Sequence, residues 1–128
     1  MGSLTSIGGN LDLFRNRLNS ISFGTLKYIG GSLDLIINDL TSISFDSLAY
    51  VGGFLDLREN RLSKITFGSL TFIGNYLDLR YNNLPMLTFP ATLNITGAIY
   101  VCNNPDNLSI LGSCSDRYGI AKCESCGA

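Results

Sequence analysis

The chain has 128 residues, 45% of them hydrophobic, and a formal net charge of −1, which describes one domain with enough apolar material for a core. That balance lacks the basic excess of a protein that neutralises several phosphates, so no nucleic acid is expected as a partner. No run of about 18 apolar residues offers a transmembrane segment, and the first residues lack the basic region and apolar core of a secretory leader, which leaves an intracellular chain or one whose leader is missing.

In chain order, residues 4–10 read as a partial unit, because Leu4 and Ile7 of SLTSIGG match the closing columns of the repeat that follows. Nothing polar caps that unit, and an uncapped solenoid end exposes a core edge and unpaired strand. Met1-Gly2-Ser3 then reads as a start placed on a truncated chain, and the open end is a candidate for self-association. MGSLTS also matches an N-myristoylation signal, against which stands the assignment of Leu4 to the core.

Four full units follow, at residues 11–32, 33–54, 55–76 and 77–98, and they align without gaps at a spacing of 22 residues. Leu11, Leu33, Leu55 and Leu77 share one column, and Leu13, Leu35, Leu57 and Leu79 the next but one. Asn16, Asn38, Asn60 and Asn82 come next, then Leu18, Leu40, Leu62 and Leu84, then Ile21, Ile43, Ile65 and Leu87, then Phe23, Phe45, Phe67 and Phe89. Leu26, Leu48 and Leu70 and a column of Ile29, Val51, Ile73 and Ile95 complete the unit LxLxxNxLxxIxFxxLxxIGGx. Leu-x-Leu alternates with period two and predicts a strand with both leucines inward. The Asn column falls where the chain leaves that strand, and a buried amide there can satisfy stranded backbone groups as a ladder along the stack. The later apolar positions, three apart, predict a 3₁₀-like or irregular return. Gly30-Gly31 and Gly52-Gly53 are expected to supply a tight turn with left-handed backbone.

A unit this short falls outside helix-pair repeats of about 33 or 34 residues and inside the leucine-rich range of about 20 to 29. With its LxLxxNxL core, the chain resembles leucine-rich-repeat proteins over approximately residues 4 to 111. The stretch SLAYVGGFLDLRENRL is similar to the repeats of receptor L domains and of the fungal cell-wall proteins related to them, and similar Gly-Gly units occur in bacterial and phage repeat proteins. The resemblance implies a repeat solenoid: a right-handed superhelix with a parallel β-sheet on its concave face, short 3₁₀ or irregular convex segments, and ligand binding on the concave side.

Residues 99–128 form a last strand and a cysteine-rich cap. Ile99-Tyr100-Val101-Cys102-Asn103-Asn104 keeps the pattern, and the chain then diverges through Pro105 and Asp106. Cys102, Cys114, Cys123 and Cys126 are disulfide candidates, and two bridges closing short loops would each contribute about 2 to 4 kcal/mol to a terminal unit. Of the three connectivities, the interlaced one, Cys102 with Cys123 and Cys114 with Cys126, is chosen. A four-thiolate zinc site competes, since Cys123-Glu124-Ser125-Cys126 has ligand spacing, but a second CxxC is lacking. Disulfides point to an extracellular or cell-surface setting, and the sequons at Asn94 and Asn107 are glycosylation candidates compatible with it.

Histidine is absent, and no GxSxG, phosphate loop or carboxylate pair outside the repeat columns occurs, so an enzyme is not expected and no catalytic residue or cofactor is assigned. The outward columns of the concave sheet carry the binding expectation. Asp12, Asp34, Asp56 and Asp78 form a line of like charges on strands about 4.8 Å apart, with Arg58 and Arg80 as the available neutralisers. A solvated structural ladder, recognition of a cationic partner, and binding of a cation such as Ca²⁺ are the three readings of that line. Beside it run Asn10, Ser32, Phe54, Tyr76 and, on the other flank, Phe14, Ile36, Arg58, Arg80. Phe14, Ile36, Phe54 and Tyr76 are either anchors for a partner or mutual cover within the sheet. Tyr28, Tyr50 and Phe72 make a further outward row. The sum is a non-catalytic recognition module for a protein or glycan ligand, with a structural, self-assembling component as the alternative.

Overall fold

The structure is a computed structural model that describes residues 3–105, 108–111 and 123–124. The chain coils as a parallel β-solenoid of about four turns, and its strands are only two or three residues long. The LDL motif builds the longest sheet. Leu11–Asp12, Leu33–Asp34, Leu55–Asp56, Leu77–Asp78 and Ile99–Tyr100 stack in that order, with Cys123–Glu124 beyond Ile99–Tyr100. Register is 22 residues throughout the full units, Leu11 opposite Leu33 and Leu33 opposite Leu55, and lengthens only at the end, where Ile99 faces Cys123. Every strand is parallel to its neighbour because each turn repeats the path of the one before.

The return path is also extended. Ser6–Ile7, Tyr28–Ile29, Tyr50–Val51, Phe72–Ile73 and Asn94–Ile95 form a second parallel sheet. On the remaining side Ser42–Ser44 pairs with Lys64–Thr66, and Met86–Thr88 pairs with Ser109–Leu111. The expected 3₁₀-like return is therefore corrected: no described residue is helical. Both the Ile-x-Phe and the Tyr-Ile positions find a partner strand 22 residues away, and inter-turn pairing satisfies their backbones without a helix. Among the described residues no helix is long and apolar enough to cross a membrane.

The core is the stack of inward columns. Leu33, Leu35, Leu40, Leu48, Leu55, Leu57, Leu62, Leu70, Leu77, Leu79 and Leu84 are fully buried, each worth about 1.5–3 kcal/mol of burial. Phe23, Phe45, Phe67 and Phe89 stack face to face inside, with centroids 5.6, 6.4 and 5.5 Å apart. The first turn is thinner: Ile7, Leu11, Leu13, Leu18 and Ile21 are only half-buried. Leu4, assigned above to the core, is 45% exposed, because only its carbonyl engages the next turn, accepting from the Thr25 hydroxyl at 2.9 Å.

The asparagine column forms the expected ladder. Asn38 Oδ1 accepts from the backbone N–H groups of Asn16 (3.0 Å) and Leu18 (2.9 Å), while its Nδ2 donates to the Leu13 and Leu35 carbonyls. Asn60, Asn82 and Asn104 repeat this toward Leu40, Leu62 and Leu84. The glycine expectation is corrected. Gly30, Gly31, Gly52 and Gly53 do not have positive φ. They are glycine because a Cβ would overlap the turn before, that of Gly30 the Gly8 carbonyl oxygen and that of Gly53 the Ser32 hydroxyl. Left-handed backbone occurs instead just ahead of the asparagines, at Arg15, Ile37, Glu59, Tyr81 and Asn103, with φ between 57° and 62°.

Candidate functional site

The outward side of the LDL sheet brings together the residues singled out from the sequence, but it does not leave them equally solvated. The residue between the two inward leucines points away from the core, and each Asp there turns its Oδ1 back onto the N–H two residues on. Asp12 accepts from Phe14 N and Asp34 from Ile36 N, both at 3.0 Å. Asp56 accepts from Arg58 N at 3.2 Å and Asp78 from Arg80 N at 3.1 Å. This local bond holds the carboxylates in one row and fixes the backbone where it leaves the strand.

Asp56 and Asp78 are 0% and 1% exposed, which corrects the expectation of a uniformly solvated ladder. Arginine stems lie over them. Arg58 pairs through Nη2 with Asp56 Oδ2 at 2.9 Å and through Nε with Asp78 Oδ2 at 3.3 Å, so one guanidinium spans two carboxylates. Arg80 Nη2 lies 2.6 Å from Asp78 Oδ2, and its guanidinium carbon sits 5.0 Å from the centroid of the Tyr100 ring. The Tyr76 hydroxyl donates to Asp56 Oδ2 at 3.1 Å. Burial first, and then the charge and hydrogen bond of Asp56, push the Tyr76 phenol up to about 12. Carboxylates this dry are tolerable because every oxygen is paired.

Asp12 and Asp34 stand in the same row with a different environment. Their i+2 positions hold Phe14 and Ile36 in place of arginine, and no ion pair reaches either carboxylate among the described residues. Asp12 is exposed and Asp34 half-buried. Burial, then the neighbouring charges of Asp12 and Asp56, raise the Asp34 carboxyl above its ordinary value, against a lowering by the Ile36 N–H and by Arg58.

The flanking aromatic column is continuous. Phe54 and Tyr76 stack at 4.8 Å with planes 5° apart, and Tyr100 meets Tyr76 edge-on at 6.0 Å. Earlier in that column Asn10 Oδ1 accepts from Ser32 N, and the Ser32 hydroxyl accepts from Phe54 N. Phe54 and Tyr76 therefore do cover one another, and they remain only half-buried. Tyr100 extends both the Asp column and the aromatic cluster, a role that sequence reading missed because the fifth unit begins with isoleucine; its place one register step beyond Asp78 was the available signal.

The return sheet presents Tyr28, Tyr50 and Phe72 as a second stack, with centroids 4.7 and 4.9 Å apart. Asn94 is exposed in the next strand, opposite Phe72. Cys102 is buried and is not a free thiol. Cys114, Cys126 and Asn107 lie outside the described residues, as does the side chain of Cys123. Among the described residues no group of three or more acidic, cysteine or histidine side chains could hold a metal ion. A depression lined by Arg15, Arg17, Ile37, Asn38 and Asp39 opens at the turn after the first strands; it gathers none of the outward columns and is a gap beside the thin first unit.

The chain matches no protein-family model, no curated protein and no solved structure.

Proposed function

We propose that this chain is a leucine-rich-repeat type module that acts without catalysis, at the cell surface or outside the cell, by presenting the outward face of its LDL sheet to a protein or glycan ligand. The observation that carries the reading is a contrast between columns. Inward positions repeat from turn to turn, whereas the outward ones change from Asn10 and Ser32 to Phe54 and Tyr76, and from Phe14 and Ile36 to Arg58 and Arg80. A regular scaffold with irregular outward chemistry suits recognition, since packing does not dictate those side chains. Half-buried aromatics beside fixed charges are the kind of surface that anchors a ligand.

Compartment follows from the cysteines. A buried, non-free Cys102 at the last full turn supports disulfide stapling of the terminal unit, by the interlaced pairing or another. Exposure of Asn94 beside the Phe72 ring supports a glycan there.

The test uses two triple variants. Phe14, Phe54 and Tyr76 become Ser in one, and Tyr28, Tyr50 and Phe72 in the other, and both are offered to a displayed peptide library and a glycan array beside the unaltered chain. Ligands that bind the unaltered chain and the second variant, but not the first, uphold the reading, with circular dichroism confirming the fold. Ligands retained by the first variant reject it.

A second reading, self-assembly through the first turn, is favoured by one observation: Leu11 and Leu13 are half-buried where Leu33 and Leu35, their counterparts one turn on, are fully covered. That edge would accept another turn of the same kind. Light scattering that reports a monomer across a hundredfold concentration range would reject self-association.

A further inference from the structure

The LDL face consists of two halves with one geometry and two charge states. In the half built by the third and fourth units, guanidinium groups saturate the row: Arg58 spans Asp56 at 2.9 Å and Asp78 at 3.3 Å, and Arg80 meets Asp78 at 2.6 Å. In the half built by the first two units, the neighbouring carboxylates Asp12 and Asp34 are paired in the same register. They hold the same backbone bond through Oδ1, yet the positions that would supply arginine are Phe14 and Ile36. The frame that grips a guanidinium is thus repeated, with the cation left out and an apolar surface set beside it.

We propose that this half is the docking site for a polypeptide segment bearing an arginine, whose guanidinium bridges Asp12 and Asp34 as Arg58 bridges Asp56 and Asp78. The proposal rests on the LDL-face reading and specifies its ligand. Arginine fits where lysine does not, because adjacent strands lie about 4.8 Å apart and a planar fork with several donors reaches two carboxylates at once, whereas an ammonium is a point charge. Phe14, at 46% exposure, offers its ring to the same group, and Arg80 against Tyr100 at 5.0 Å shows this face accommodating a guanidinium on an aromatic ring. Ile36 and the rest of Phe14 give an apolar neighbour of the arginine a place to land. A neutral glycan supplies no cation for the row, and a sulfated one is repelled by it. The raised carboxyl of Asp34 accords with a row in want of a cation.

A displayed library of random heptapeptides is selected on the full chain, and one enriched peptide is synthesised with a fluorophore, together with versions in which its arginine is lysine or citrulline. Anisotropy is then read against the unaltered chain, Asp34→Asn, Ile36→Arg and the pair Phe54→Ser with Tyr76→Ser. Ile36→Arg copies a residue that the same column already carries at Arg58 and Arg80, so it places the guanidinium on Asp34 in cis without a new packing demand. The expected result is arginine beside an apolar residue in the enriched peptides, with binding at least tenfold weaker to Asp34→Asn and to Ile36→Arg, and for the lysine and citrulline peptides. Binding to the Phe54/Tyr76 variant stays within threefold. A library that yields no arginine-bearing binder overturns the proposal, as does a peptide whose affinity survives Ile36→Arg. A peptide or glycan lost only with Phe54 and Tyr76 overturns it while upholding the wider reading of the face.

Discussion

Alanine at Asn60 and alanine at Asn16 remove the same side chain from the same column, and the structure makes them unequal. Asn60 Oδ1 is the acceptor for the Leu40 N–H at 3.1 Å, and its Nδ2 donates to the Leu35 and Leu57 carbonyls at 3.0 and 3.1 Å. Those two carbonyls keep a second donor after truncation, from Asn38 and Asn82. Leu40 N keeps none that the structure shows, and the surrounding leucines are fully buried. An orphaned buried donor costs about 1–3 kcal/mol, and each additional bond lost about 0.5–1.5 kcal/mol, so Asn60→Ala loses about 3–4 kcal/mol. Asn16 is exposed and donates only to the Phe14 carbonyl at 3.2 Å; no preceding turn offers its Oδ1 a donor, and Asn16→Ala costs about 1 kcal/mol or less. Urea unfolding followed by circular dichroism measures both, the midpoint falling with m unchanged. Equal losses, or a larger loss at Asn16, would refute the view that the asparagines act by satisfying the neighbouring turn.

Ile37 holds φ of 57° with a β-branched side chain, a conformation costing about 1–2 kcal/mol for most residues; Ile37→Asn raises stability by about 1 kcal/mol in the same assay, and a net loss would count against strain there. Asp34→Asn keeps the acceptor for Ile36 N and removes a charge whose folded carboxyl is raised. A raised carboxyl favours the protonated fold, so the native contribution is present below the ordinary value of 3.8 and lost as pH rises through the folded value. Asp34→Asn therefore stabilises at pH 7 and its advantage shrinks below pH 4; a constant difference across that range contradicts the assignment. Absorbance titration of the six tyrosines is expected to show one phase near pH 12, absent in Tyr76→Phe. Persistence of that phase in the variant would place it on another tyrosine.

The inward columns were legible because a side chain that must fill one slot per turn recurs every 22 residues, and Leu33, Leu55 and Leu77 announce the sheet by repetition alone. The asparagine ladder was legible for the same reason. Other features depend on neighbouring turns and leave no mark in a single unit. The left-handed positions carry arginine, isoleucine, glutamate, tyrosine and asparagine, types with no common signature, since the following asparagine fixes the backbone there. Gly30 and Gly52 looked like turn residues, but the constraint on them is the carbonyl of the preceding turn. Burial of Asp56 and Asp78 could be read only with the lie of the arginine stems. The return path looked irregular because its apolar residues are spaced by three; its strands are made by the adjacent turn, which a local period does not report.

Every column on the binding face depends on the 22-residue register, and a cross-link tests that register most directly. Ser42 and Lys64 are exposed partners in adjacent strands, and Thr66 lies two residues further along. Partners one strand spacing apart, about 4.8 Å, fall within disulfide reach, and positions displaced by two residues along the strand lie beyond it. Peptide mapping by mass spectrometry after mild oxidation is expected to find the bridge in Ser42→Cys/Lys64→Cys and not in Ser42→Cys/Thr66→Cys. A bridge formed preferentially in the second pair would contradict the register and the alignment of the Asp, Arg and aromatic columns with it.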